Sequence, residues 1–381
     1  MGPLKDIVCP PYDVISPDEQ VRLHERHPYN AVRIELPFSE SNTPTERYAR
    51  AAAQFRAWLE AGVLVPDDVA SLYVYRQDYV SQDRGRKRVA GVVGALDLEE
   101  FGTGVFPHER TMPGPIEDRL ALLRACPVNI SPIYAIYRGG GDLVAYIDSL
   151  DGRPPDARFV DDAGILHRFW AVAARAEIEM ISAALASRVL VIADGHHRYE
   201  TALAYHAEQD GSPGGHDAVM CFCVDADAED LLVLPFHRVL KAGTGMNRVA
   251  ERIRDRFTAP DADHSMVVVL PDGDIPARIG RAEVEARLPG RPDPWLSLDV
   301  VALHEVLIPE LFPGGIHDLT FTKDEAEVRR LVADGWSAGV LLHPPHAADV
   351  IDVARSGERM PQKASYFWPK AVTGLVFRSL R

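Results

Sequence analysis

The spacing of apolar positions along the chain changes repeatedly, and each change predicts an element. Ser71 to Val80 and Lys87 to Leu98 alternate or run apolar around the charged stretch Asp83-Arg84-Gly85-Arg86, the pattern of a β-hairpin. Thr43 to Ala61 repeats at helical spacing, with Tyr48, Phe55, Trp58 and Leu59 facing inward and Gly62 ending it. Two prolines make Ile7 to Ser16 an extended segment running into a turn. Ser16-Pro17-Asp18-Glu19 then caps a helix. Asn30 to Leu36 reads as a strand, Ile116 to Arg124 as a helix, and Ile130 to Tyr137 as a strand closed by Gly139-Gly140-Gly141.

Residues 142–165 read as short strands and a Pro-rich loop, Ile165 to Trp170 as a strand, and Ala171 to Leu185 as a helix. Ser187 to Ile192, Ala218 to Val224 and Leu231 to Pro235 are apolar β segments. A second unit holds helices at Asn247 to Phe257 and Asp299 to Ile308, the segments Met266 to Leu270 and Ala338 to Leu342, and Glu325 to Ala333. There is no internal repeat and no strict βαβ rhythm. The expected class is therefore α+β, with mixed β-sheets and packed helices. The expected division is a main α+β domain at 1–242 and a smaller C-terminal α/β unit at 243–381.

Composition narrows the function. With 46% apolar and 25% charged residues in 381, the chain is ordinary globular material. No apolar run approaches the about 20 residues of a membrane span, and no signal-peptide pattern opens it, so a cytoplasmic protein with no membrane partner is expected. A net charge of −15 argues against general nucleic-acid binding. Cys9, Cys126, Cys221 and Cys223 form no disulfide framework, and Cys221 and Cys223 place both thiols on one face of a buried strand.

The densest chemistry lies in Val191-Ile192-Ala193-Asp194-Gly195-His196-His197-Arg198-Tyr199-Glu200-Thr201-Ala202-Leu203. A buried strand there hands over to a helix through a polar turn. The helix aims its first N–H groups and the positive end of its dipole at that turn, and Arg198 adds charge, so an anion such as phosphate is favoured. Asp194 stands where a metal ion carried in with phosphate is held. Two other readings stay open: Asp194 as a plain helix cap, and a zinc site built on the two histidines.

Three further segments carry candidates. In the loop His108-Glu109-Arg110-Thr111, Glu109 is a candidate general base toward a hydroxyl, His108 an acid, base or ligand, and Arg110 a phosphate partner. A solvated surface loop is the alternative. In Met360-Pro361-Gln362-Lys363-Ala364-Ser365-Tyr366-Phe367-Trp368-Pro369-Lys370, aromatic residues between lysines suggest a segment that returns to a site, with Lys363 on phosphate. A closing strand with solvated lysines explains it equally well. Asp13, in Pro10-Pro11-Tyr12-Asp13, is a turn acid or a site acid.

Taken together these segments resemble one family. Pro10 to Ser16, the His108–Thr111 loop with Pro113-Gly114-Pro115 and Asp118-Arg119-Leu120, Ala193 to Ala202, and Met360 to Lys363 with Tyr366-Phe367 match DUF1015 in order along nearly the whole chain. In that family a further strand usually precedes the Pro-Pro-Tyr segment, which here opens the chain, so an incomplete start is the expectation. The usual Lys-Ser-Thr-Tyr-Phe-Tyr-Pro-Lys reads here Lys363-Ala364-Ser365-Tyr366-Phe367-Trp368-Pro369-Lys370. Tyr12, Arg119, Tyr199 and Glu200 become further site candidates because they stand in the matched segments.

The turn is also similar to the phosphate-binding turn of the ParB/sulfiredoxin superfamily, which includes free-serine kinases with an Asp-Gly-His-x-Arg turn. That resemblance implies a ParB/sulfiredoxin-like nucleotide-binding core, Asp194 on Mg²⁺, and Gly195, His196, His197 and Arg198 on the phosphates of ATP or ADP. The leading expectation is a Mg²⁺-dependent phosphotransferase acting on a small hydroxylated metabolite, with serine the first choice. Its alternatives are a metal-dependent phosphatase or phosphodiesterase, and a ParB-like nucleotide switch without turnover. The nucleotide base, the acceptor and assembly as a homodimer are left open.

Overall fold

The computed structural model describes residues 3–38, 43–81, 85–111, 113–228, 230–242 and 248–381. Asp83 and Arg84 of the expected hairpin turn, Met112 and Asn247 lie outside the described residues. The chain forms two compact units, one of residues 1–107, 111–231 and 369–381, the other of residues 108–110 and 232–368. The expectation set the division at 242. The unit boundary falls near 231, and the closing segment joins the first unit because it hydrogen-bonds there. Thr373 N–H donates to Cys9 O at 2.8 Å, Cys9 N–H to Thr373 O at 3.1 Å, and Gln77 Nε2 to Lys370 O at 2.9 Å.

The first unit is built on eight strands: β1 (Leu72–Ser81), β2 (Gly85–Asp97), β3 (Val105–Pro107), β4 (Ile133–Tyr137), β5 (Ala157–Val160), β6 (Leu166–Val172), β7 (Leu190–Asp194) and β8 (Ala218–Asp225). Their order in the sheet is β3-β7-β4-β8-β2-β1-β6-β5. The pairs β3/β7 and β4/β8 are parallel and the others antiparallel, so the sheet is mixed as expected. The helices that matter for the site are α1 (Pro17–Arg26), α2 (Pro44–Glu60), α3 (Pro113–Ala125), α4 (Arg175–Ala186) and α5 (His196–Ala207). Ser16 Oγ accepts from Glu19 N–H at 3.3 Å, the cap read from the sequence.

Val74, Val92, Ile133, Trp170, Ile181, Ile192 and Tyr199 make the main core of this unit. Ile34, Tyr48, Trp58, Leu122 and Ile130 make a second one beneath α2 and α3. β4 and β8 are buried along their whole length, which places the end of β7 against a rigid sheet. Cys221 and Cys223 do share a face, with their sulfurs 3.5 Å apart.

Four sequence expectations are corrected. Asn30 to Leu36 contains a helix, Val32–Glu35, because the buried Asn30 accepts Val32 N–H at 3.0 Å and ties the turn to Asp6 O and Val8 O. Leu59 is exposed rather than inward. The stretch after Gly140 opens with a helix, Gly141–Ser149. The helix expected at Asp299 to Ile308 is interrupted by a π turn at Leu303–Leu307, just before Pro309, whose nitrogen has no hydrogen to donate to the preceding turn.

The second unit carries a five-stranded antiparallel sheet of β9 (His237–Ala242), β10 (His264–Leu270), β11 (Gly273–Ile279), β12 (Ile316–Thr322) and β13 (Ala338–Leu341), ordered β11-β10-β13-β9-β12. No described helix is long and apolar enough to cross a membrane.

The close approach of β2 to β8 sets a requirement for glycine. A Cβ on Gly91 would lie 2.1 Å from Cys223 O, whereas one on Gly114 would meet nothing within 4 Å. Gly91→Ala is expected to lower stability in urea by about 3 kcal/mol or to prevent folding. Gly114→Ala, on the exposed start of α3, is expected to be neutral or to stabilise by about 0.5–1 kcal/mol.

Candidate functional site

The site of the first unit starts at the end of β7. Leu190 to Ala193 are buried, and the chain leaves the sheet at Asp194. Gly195 turns it with φ of 89°, a left-handed conformation that glycine adopts without strain. A Cβ there would also press on the Arg198 guanidinium at 3.0 Å. Helix α5 begins at His196, and among the described residues no side chain caps its first turn.

The turn closes on its own charges. Arg198 reaches back so that Nη2 donates to Asp194 Oδ2 at 2.8 Å, while Nη1 donates to Pro132 O. The other oxygen, Asp194 Oδ1, accepts from Lys370 Nζ. The three side chains are about equally withdrawn from water, at 11% exposure for Asp194 and 10% each for Arg198 and Lys370. Burial pushes the Asp194 carboxyl up. The charges of Lys370 and Arg198, the Lys370 hydrogen bond and the charge of His196 outweigh it and hold Asp194 at about 2. Burial likewise works against the charge on Arg198, but Asp194 and Asp13 keep its pKa above the usual value.

The Cys9–Thr373 pairing explains how remote segments meet here, because it lays Tyr12 and Asp13 beside the stretch that supplies Lys370. Asp13 sits on a single 3₁₀ turn, Tyr12–Val14, and is open to solvent. The surrounding protein and the Asp194 charge raise its pKa, and Arg198 and Lys370 only partly offset them. Two neighbouring carboxyls are thus pushed in opposite directions. The Tyr12 hydroxyl is raised to about 12, chiefly by burial, and stays protonated.

A second ring of groups fixes this arrangement. The Arg119 guanidinium lies 4.5 Å over the Tyr12 ring and donates to Asp118 Oδ2 at 2.6 and 2.9 Å and to Glu35 O at 2.8 Å. Glu35 Oε1 accepts from Ser131 Oγ at 3.0 Å. Asp118 also takes Arg47 Nη2 at 2.7 Å and the Tyr48 hydroxyl. A cavity of about 50 Å³ lined by Glu35, Arg119, Ser131, Arg198 and Thr201 lies behind the turn. That volume holds a few waters and no nucleotide.

The other candidates fall differently. Tyr199 is fully buried; its hydroxyl donates to Glu99 O at 2.8 Å and accepts from Glu99 N–H at 3.1 Å, so it pins α5 rather than facing a ligand. Glu200 accepts from Thr111 Oγ1 at 2.6 Å and secures the approach to α3. His196 is buried and His197 half-buried. Among the described residues, the one group of three His, Cys, Asp or Glu side chains close enough to share an ion is His206, His216 and Asp217, not the two histidines of the turn.

His108, Glu109, Arg110 and Lys363 belong to the second unit. There Met360 N–H donates to His108 O at 2.7 Å, Glu109 bridges Met360, and His108 is buried with Nε2 2.9 Å from Ser365 Oγ. Arg238 is fully buried and donates to Lys363 O at 2.9 Å and Gln362 O at 3.0 Å. Burial pulls Arg238 down to about 10, and Glu109 partly offsets this. His108 and Glu109 thus serve to hold this segment, Arg110 is exposed, and Lys363 has its Nζ 5.5 Å from the Phe236 ring. The lysine that reaches the turn is Lys370. The sequence showed two lysines flanking the aromatic run and nothing in it ranked them.

The model of the family described as "Protein of unknown function (DUF1015)" matches residues 2–301. The chain belongs to the DUF1015 family. Among curated proteins none matches it. The DUF1015 chain is similar to several solved structures. One is free serine kinase in complex with AMP, at 14% identity over 72% of this chain and 86% of that one, with a TM-score of 0.36. Another is SbnI with a C-terminal truncation from Staphylococcus aureus, at 10% identity over 74% and 85%, with a TM-score of 0.40. A conserved hypothetical protein from Pyrococcus furiosus aligns at 11% identity over 75% and 98%, with a TM-score of 0.36.

The depressed Asp194 carboxyl makes an acid-stability test. Its contribution is fully present above the ordinary value of 3.8 and is lost as pH falls toward about 2. Asp194→Asn takes the carboxylate away from two largely buried cations and is expected to cost about 3–5 kcal/mol at pH 7. Between pH 7 and pH 3 the parent is expected to lose about 1 kcal/mol more stability than the variant, read from urea midpoints. Equal losses contradict the assignment.

Proposed function

We propose that the first unit binds a nucleotide by its phosphates at the Asp194–Arg198 turn and transfers a phosphoryl group to a hydroxyl of a small metabolite, serine being the first acceptor to test. The observation that carries this reading is the Arg198–Asp194–Lys370 triplet, largely withdrawn from water at the start of α5. Within the triplet two cations meet one carboxylate, and the neighbouring Asp13, when ionised, offsets the remaining charge. The positive end of the α5 dipole lies at this turn. A phosphate placed there meets charge that is already oriented, the requirement of phosphoryl transfer. The similarity of the turn to the Asp-Gly-His-x-Arg turn of free-serine kinases supports the same reading.

Asp194 does not fit the role of a magnesium ligand. Both of its oxygens are taken by cations, and a further cation beside Lys370 and Arg198 would be repelled. Its part is to hold the two cations in position, and no step is assigned to magnesium. Asp13 takes the place first given to Glu109 as the base. It is open to solvent and stands beside the charges of Asp194, Arg198 and Lys370. The acceptor oxygen attacks the terminal phosphorus as its proton passes to the Asp13 carboxylate. The bond from that phosphorus to the bridging oxygen breaks, and the shortened nucleotide leaves from Lys370 and the helix start.

Thermal-shift measurements with ATP, ADP, CTP and GTP should show stabilisation by at least one of them at millimolar concentration. Lys370→Met is expected to weaken that nucleotide at least tenfold. Asp13→Asn is expected to keep binding and to lose about a hundredfold or more in transfer to acceptor. Phosphate release without acceptor would move the reading to a hydrolase, and tight binding without turnover to a nucleotide switch. No stabilisation by any nucleotide would overturn it.

A further inference from the structure

Helix α5 carries the nucleotide-site turn at its first residue, and a different set of ligating groups gathers around its last turn. His206 lies in that last turn, and His216 and Asp217 lie on the 3₁₀ turn Gly215–Asp217 that leads into β8. His206 Nδ1 stands 3.2 Å from Asp217 Oδ1, His216 Nε2 stands 3.5 Å from the same oxygen, and all three ligand atoms fall within 4.8 Å of one another.

These distances match a shared metal ion. Tetrahedral zinc with bonds of about 2.0–2.1 Å spaces its donors about 3.3 Å apart, a value between the two separations to Asp217. The carboxylate is already turned for the task. Its Oδ2 accepts Gly214 N–H at 2.8 Å, which leaves Oδ1 facing both imidazoles. The main chain is fixed as well, since Leu98 N–H donates to Asp217 O at 2.8 Å and Asp217 N–H to Gly214 O at 3.1 Å. Two imidazoles and a carboxylate suit a borderline divalent ion better than calcium or magnesium. The negative end of the α5 dipole adds to the attraction. His216 Nε2 lies 3.0 Å from Ser212 O, a contact that metal binding would exchange for the ion.

We propose that His206, His216 and Asp217 bind one divalent transition-metal ion of the zinc class, with water completing the shell, and that this ion clips the end of α5 to the start of β8. The site stands independently of the nucleotide reading. It is also separated from it, because the 12 residues of α5 span about 18 Å. The ion is structural here: it ties down the far end of the helix whose beginning holds Arg198.

The full chain, stripped with chelator, is titrated with ZnCl₂ by calorimetry and with CoCl₂ by visible absorption. One equivalent of zinc, tetrahedral cobalt bands and a raised melting temperature are expected. His216→Ala and His206→Ala should each weaken zinc at least tenfold, while His197→Ala keeps parental affinity. Should either alanine variant fail to fold, X-ray absorption of the zinc-loaded parent decides, with two imidazole ligands expected. Absence of stoichiometric binding, unchanged affinity in both variants, or loss of the metal in His197→Ala would overturn the proposal.

Discussion

The carboxylate of Asp194, held between Lys370 and Arg198, is the interaction on which the candidate site depends. Each of the three groups would be expensive to bury alone. Together they are stable only in this arrangement, since removing one leaves another charged and desolvated. The triplet also joins three parts of the chain. Asp194 ends β7, Arg198 begins α5, and Lys370 comes from the closing segment held by Gln77 and Cys9. Asp13 stands next to it with the opposite response, its proton held more tightly where that of Asp194 is given up.

Much of this was legible before any coordinates. The strand-to-helix junction at 190–207 follows from an apolar run, a glycine and a renewed helical period, and the mixed α+β class follows from the uneven order of elements. The crowding of titratable groups in the turn marked it as a site. What sequence could not show was who partners whom. Asp194 reads as a metal ligand when its neighbours in sequence alone are considered. It becomes a charge anchor once a lysine 176 positions away arrives on its free oxygen.

Several candidate residues share an environment of packing and backbone support. His108, Glu109 and Lys363 carry groups capable of catalysis, and so drew attention. Their environments in the second unit are packing and backbone support around the buried Arg238. Tyr199 likewise spends its hydroxyl on Glu99. Reactive side chains near a motif are as often the scaffold that fixes the motif, and only hydrogen-bond partners separate the two roles. The strand expected at Asn30 failed for the same reason. Asn30 satisfies its amide locally and turns the chain, which outweighs the β preference of Val32 and Ile34.

We propose that the turn at the start of α5 is an oriented receptor for phosphate. A crystal structure of the full chain soaked with a non-hydrolysable ATP analogue tests it most directly. The account requires phosphate oxygens within hydrogen-bond distance of Lys370 Nζ and of the main-chain N–H groups of His196 to Arg198. Phosphates bound elsewhere, or a turn that stays closed on itself at saturating analogue, would contradict it.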